Sequence, residues 1–217
     1  MPFQPDDDDP HFVSAGTVRE ALAALRDGED DATAPALQVA SDVVPYLNGV
    51  LTVVGDGLVH VAENIAKSGA RTTIQGDDMM RAALVVLDPA LARKFMNSYQ
   101  EQVDLGERAG VVSPLKLATC SKFLRSMVDA STRISAGAVS LLLLALHAVF
   151  ERAIMNGYGV AVQEGKKRMH GPDVLLNPAD GTSWSLLCTM VHIDGDSWLT
   201  PEEVRASLKA AMAKPLF

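Results

Sequence analysis

Apolar residues recur along this chain with a helical period, and the longest such series set its plan. Leu47, Val50, Leu51, Val54, Leu58, Val61 and Ile65 keep one face over five turns, predicting a long helix from a Ser41 N-cap to about Lys67, with Pro45 in its first turn. Ala136 to Phe150 reads AGAVSLLLLALHAVF, interrupted only by Ser140 and His147, so a helix there is apolar on nearly every side and must be wrapped by protein. Fifteen residues followed by Glu151-Arg152 are too short for a bilayer span. The long helix is expected over Ala138 to Gln163, with Arg133-Ile134-Ser135 before it and Lys166-Lys167-Arg168 after it, basic loops about 40 Å apart at roughly 1.5 Å per residue.

Shorter segments complete the pattern. Helices are expected at Ala15 to Arg26, Asp77 to Leu87, Ala90 to about Val103 and Leu115 to Val128, and Gly171-Pro172-Asp173-Val174 opens another. Asp104 to Gly110, polar with two glycines, reads as a linker. Gly76-Asp77-Asp78-Met79 and Gly171-Pro172-Asp173-Val174 lie 95 residues apart, and the same offset carries Leu47, Leu51 and Ile65 onto Leu142, Leu146 and Val160. The chain is therefore an internal repeat of short helix, loop, long helix, loop, short helix. Two such units bury their long helices by clasping each other.

Composition narrows the chemistry. The 217 residues are 48% hydrophobic and only 5% aromatic, which fits an aliphatic helical protein. A formal net charge of -8 opposes nucleic-acid binding overall, so any such binding must rest on local basic loops. Cys120 and Cys188 are the only cysteines, which argues against a disulfide framework, and the five histidines lack paired metal spacing. No metal, cofactor or catalytic set is expected, and an enzyme is the least supported class. His192 to Glu203 only partly mimics a calcium-binding loop, because His192 stands where a carboxylate is needed. Thr200-Pro201-Glu202-Glu203 reads instead as the start of an amphipathic helix with Val204, Leu208 and Met212. Met1 to Ser14, with Asp6 to Asp9, is expected to be a disordered acidic tail; it lacks the basic start and apolar core of a secretion signal, and nothing marks a membrane protein.

The first copy, Ala70-Arg71-Thr72-Thr73-Ile74 through Leu84-Val85-Val86-Leu87 and Leu91-Ala92-Arg93-Lys94, resembles histone 2B. The second, with Arg133-Ile134-Ser135-Ala136-Gly137-Ala138, Lys166-Lys167-Arg168 and Val191-His192-Ile193, resembles histone 2A. That order on one chain is similar to the fused histone doublets of large DNA viruses, particularly the Marseillevirus group. The resemblance implies an all-α protein of two tandem histone folds forming an intramolecular handshake dimer: 15-103 and 111-196, joined by linker 104-110, between a tail at 1-14 and a C-terminal helix or tail at 197-217. It implies a structural chromatin protein that packages viral DNA into nucleosome-like particles, with a histone 4-3 type doublet and a second copy of itself as partners, in the virion and the host viral factory or nucleus.

On this reading double-stranded DNA is held through its backbone by Arg71, Thr72, Thr73, Arg133, Ser135, Lys166, Lys167, Arg168, Ser41, Lys122 and Arg125. Arg71-Thr72-Thr73 should lie beside Arg133-Ile134-Ser135, and Arg168 beside the stretch preceding Ser41. Val191, His192, Ile193, Arg93 and Lys94 are the expected partner-docking residues. Departures from the family are also expected to matter. His147, Arg152, Met155, Thr182, Ser183, Ala90 and Ser98 stand at positions that are mostly carboxylates in the family, so factors that anchor an arginine on an acidic patch should not bind well, whereas Met169, aligned where the second-loop arginine belongs, and the acidic tail imply light wrapping. The alternative is a histone-fold interaction module, transcription-factor or chaperone-like, with little DNA contact.

Overall fold

A computed structural model describes residues 11–27, 37–105, 113–176 and 178. It is all-α apart from four two-residue strands: α1 (Ala15–Asp27), β1 (Gln38–Val39), α2 (Val43–Ser68), β2 (Thr73–Ile74), α3 (Gly76–Val86), α4 (Pro89–Leu105), α5 (Leu117–Met127), β3 (Arg133–Ile134), α6 (Ala136–Gln163) and β4 (Arg168–Met169), then a 3-10 turn at Gly171–Leu175. Local chemistry sets several boundaries. The Thr17 N–H donates to the Ser14 hydroxyl at 3.2 Å ahead of α1, and the Ala90 N–H donates to the Asp88 carboxylate at 2.7 Å with Pro89 in the first position of α4. The expected linker loses its first two residues to α4, which runs on to Leu105; residues 106–112, the acidic tail up to residue 10 and everything beyond 178, including the expected docking strand Val191-His192-Ile193 and the C-terminal helix, lie outside the described residues.

The offset of 95 holds in three dimensions, taking β1 to β3, β2 to β4, the end of α2 to that of α6, and the start of α3 to that of the 3-10 turn. Both long helices end in the same hydrogen-bond pattern. The Arg71 N–H reaches back to the Ala66 carbonyl and the Lys166 N–H to the Ala161 carbonyl, each at 2.8 to 2.9 Å, with a left-handed residue just before them: Ala70 at φ 52° and Gly165 at φ 62°. Glycine accepts that conformation freely; alanine in the first copy is strained.

The units join head to tail. β1 pairs in parallel with β4, Gln38 opposite Arg168, and β2 pairs in parallel with β3, Thr73 opposite Arg133. Helix α6 runs through the middle of the core, in contact with α1, α2, α3, α4, α5 and the 3-10 turn. Leu141 to Leu146 and Ala148 to Phe150 are all buried, each large side chain contributing about 2 kcal/mol by removal from water. At 28 residues α6 is long and apolar enough to cross a bilayer by composition, but most of its surface is buried in protein. Gly55 on α2 leaves the space that the Phe123 ring fills, a Cβ there lying only 2.6 Å from it. Phe12 meets that ring edge-on at 5.2 Å. The segment before α1 is tied to α2 because Asn48 both accepts from the Val13 N–H and donates to the Val13 carbonyl.

Three local expectations change. Ser41 is not the N-cap of α2: it lies in a turn, and Asp42 takes that position with no side-chain capping bond, because the chain is still folding back from Ala40 to Val43. Helix α6 starts at Ala136, capped by the Ser135 hydroxyl accepting from the Ala138 N–H at 3.2 Å. The segment opened by Gly171 is a five-residue 3-10 turn where the first copy has the eleven-residue α3. Pro178 follows it, packed against Gly159 of α6.

Candidate nucleic-acid interface

Two loop pairs stand at the ends of the long helices, and each combines one loop from either unit. In the β2–β3 pair the Arg133 N–H donates to the Thr72 carbonyl at 2.7 Å and the Ser135 N–H to the Ile74 carbonyl at 3.0 Å. The starts of α3 and α6 meet backbone to backbone here, since a Cβ on Gly76 would lie 3.6 Å from the Gly137 carbonyl carbon. Helix N-termini leave amide N–H groups over and carry partial positive charge that favours an anion, but the first turn of α3 already carries Asp78, which accepts from the Gln75 N–H, and exposed Asp77. Arg133 and Thr72 are exposed beside them. Ser135 is half-buried and spends its hydroxyl on the α6 cap.

Arg71 does not point outward. Its guanidinium grips Asp78 with two bonds, 2.7 Å from Nη1 to Oδ2 and 2.6 Å from Nη2 to Oδ1, and Asp78 is only 1% exposed. Burial by itself raises the Asp78 pKa, but the Arg71 fork, the Gln75 N–H at 2.8 Å and the charges of Arg71 and Arg81 outweigh it and hold the carboxyl below its usual range. Nearby Lys67 is bound to Asp129 at 2.8 Å and to Glu63 at 3.3 Å.

The β1–β4 pair repeats this frame with other side chains. The Gln38 N–H donates to the Lys167 carbonyl and the Ala40 N–H to the Met169 carbonyl, both at 3.0 Å. Lys166 takes the place of Arg71 and is bound to buried Asp173 at 2.7 Å and to Glu164 at 2.6 Å, which raises its pKa. Arg168 is exposed, with Nε donating to Gln38 Oε1 at 2.9 Å, and Lys167 is exposed. Met169 is fully buried over Gly157, in the register of Ile74, while Arg168 holds the outward register of Thr73. Met169 is thus a core residue, and the exposed arginine of this loop is its neighbour Arg168. Ser41 is exposed, but the carboxylate of Asp42 stands next to it, with Oδ2 3.9 Å from His170 Nδ1 and Oδ1 buried without a hydrogen-bond partner.

Lys122 and Arg125 are exposed on α5. Of the expected docking residues, Arg93 is exposed on α4, whereas Lys94 is bound to Glu151 of α6 at 2.9 Å and so helps hold α4 down. Where carboxylates were expected to be missing, His147 is half-buried beside Glu151 at 3.5 Å and Met155 is exposed. Among the described residues, no group of three or more His, Cys, Asp or Glu side chains is placed to hold a metal. Cys120 is buried, which pushes its thiol pKa up to about 12 and leaves it an inert core residue.

Sequence reasoning passed over the two acids that decide which cations are available. Their signal was present: Arg71 precedes Asp78, and Lys166 precedes Asp173, by the same seven residues at the repeat offset.

No protein-family model and no curated protein matches the chain. Among solved structures it is similar to the histone from Methanopyrus kandleri. The two share 16% sequence identity at a TM-score of 0.46, over 75% of this chain and 91% of that one.

Proposed function

We propose that this chain is a structural DNA-binding protein of histone type, two tandem histone folds closed into an intramolecular handshake pair that binds the backbone of double-stranded DNA. The observation that carries the reading is the head-to-tail pairing of loops at both ends of the long helices. It supports two backbone-binding surfaces a helix length apart, about 40 Å at roughly 1.5 Å per residue, without any base-reading element. The finer reading follows the sequence resemblance: a fused 2B-2A doublet that packages viral DNA with a 4-3 type doublet and a second copy of itself, inside the virion. Its grip is light, because Arg71 and Lys166 are turned onto Asp78 and Asp173 and the chain carries a net charge of -8. The test is a gel shift of the chain with a 4-3 type doublet and DNA of about 120 to 147 base pairs, the upper figure being the standard wrap. A discrete particle, dissociating at lower salt than a standard nucleosome, is the expected result; a particle of equal or greater salt resistance overturns the light grip.

The inward commitment of Arg71 and Lys166 favours a second reading, a histone-fold interaction module with little DNA contact. Absence of any shifted species with the full chain, across low to moderate salt, leaves only that reading.

A further inference from the structure

Outside both loop pairs, α1 and α6 leave between them a mostly apolar cleft of about 360 Å³. Ala21, Ala24 and Leu25 from α1 and Phe150, Ile154 and Met155 from α6 line it. The alanines on α1 leave room for a third helix to approach, and Met155 is 44% exposed. On the α1 side the rim carries exposed Glu20. On the α6 side Glu151 is bound to Lys94 at 2.9 Å. The chain itself carries a complement to this surface. Thr200 to Lys214 repeats Val204, Leu208, Ala211 and Met212 with a helical period after the Thr200-Pro201-Glu202-Glu203 start. On a helix Arg205 and Lys209, four residues apart, share one flank of that stripe and are opposite in charge to Glu20. The route is long enough. Pro178 packs on Gly159, one turn along α6 from Met155. The 21 residues from 179 to 199 reach roughly 70 Å when extended, at about 3.3 Å each, farther than the whole length of α6 at about 1.5 Å per residue.

We propose that residues 200–214 form an amphipathic helix that docks in this cleft, seating Val204, Leu208 and Met212 between α1 and α6 with Arg205 and Lys209 beside Glu20. The mode is a helix in a groove, anchored at residues one turn apart. The occupant is this chain's own segment because a flexible tether holds it at an effective concentration on the order of millimolar, ahead of any free partner of similar affinity. While it is seated, the face between α1 and α6 is closed to helices of other proteins. The proposal is independent of the DNA-binding reading, since no loop cation takes part.

The experiment is photocrosslinking of the full chain with benzoylphenylalanine in place of Leu208, mapped by mass spectrometry on a mixture of isotopically light and heavy protein. Cross-links within one copy, to Met155 and to α1 around Ala24, are the expected result. Met155→Asp, at an exposed position, should abolish them, and Val162→Asp, 39% exposed on the same helix but outside the cleft lining, should not. Hydrogen exchange gives a second readout on the same chains. M155D and, from the segment side, L208D/M212D should each speed exchange of the α1 amides about tenfold. The triple variant should exchange no faster than either, a coupling that a purely local effect of Met155 would not produce. Cross-links found only between light and heavy copies overturn the proposal in favour of a second copy as occupant. Cross-links elsewhere on the chain, no cross-links, or additive effects of the two sets of substitutions on α1 exchange also overturn it.

Discussion

The two loop pairs share one backbone and differ in what their side chains leave for a ligand. At the β2–β3 end Arg133 is exposed and, among the described residues, outside an ion pair, and the starts of α3 and α6 meet through Gly76 and Gly137. At the β1–β4 end Lys167 and Arg168 are both exposed, and the carboxylate of Asp42 stands at the start of α2. In each pair one further cation, Arg71 or Lys166, is consumed by a buried aspartate. The difference teaches that a repeated fold conserves the lock between second loop and following helix and lets the surface charge drift. On the proposed DNA-binding reading the β1–β4 end is the stronger anchor.

The largest effect should come from breaking the locks. Arg71→Ala leaves Asp78 buried without its countercharge and should cost about 3 kcal/mol, read as a lower urea midpoint at constant slope. Lys166→Ala should cost less, because a single ammonium replaces a two-bond fork; equal losses would remove the contrast between the ends. The pH dependence has a definite sign. The Asp78 pKa is lowered in the fold, so its contribution is complete above the unfolded value near 3.8 and is lost as pH falls below it. Asp78→Asn should therefore flatten the acid limb of stability below about pH 4 in a thermal melt series.

A smaller effect separates the surfaces. K167Q/R168Q should reduce the salt dependence of duplex binding by about 1.8 and R133Q by about 0.9, at one phosphate for each cation. A greater loss from R133Q would make the β2–β3 end the anchor. The smallest effect tests the strained turn. Ala70→Gly should raise stability by about 1 kcal/mol by relieving a left-handed alanine, whereas Gly165→Ala should lower it by a similar amount; opposite signs would mean that the two helix ends are not equivalent.

Much of the frame was readable before any coordinates. Helical periodicity, turn residues and the recurrence at 95 are local properties, so the two units and the apolar centre of α6 were legible in order, while the side-by-side loops followed from the family resemblance. Site residues were legible only as a list of basic positions. Arg71, Lys166 and Lys94 looked as available as Arg133, Lys167 and Arg168, because charge alone does not say which way a side chain turns. The direction comes from acids elsewhere on the chain: Asp78, Asp173 and Glu151. Met169 likewise reads as part of a basic loop until its pairing with Val39 turns it into the core.

By itself, then, the sequence determined that two similar helical units must bury their long helices against each other, since an all-round apolar helix such as α6 has no other way to leave water. Tertiary structure alone decided which loop cations are spent on buried acids and which stand exposed. Burial made Asp78 and Asp173 demand countercharges, and those demands are met before any ligand arrives.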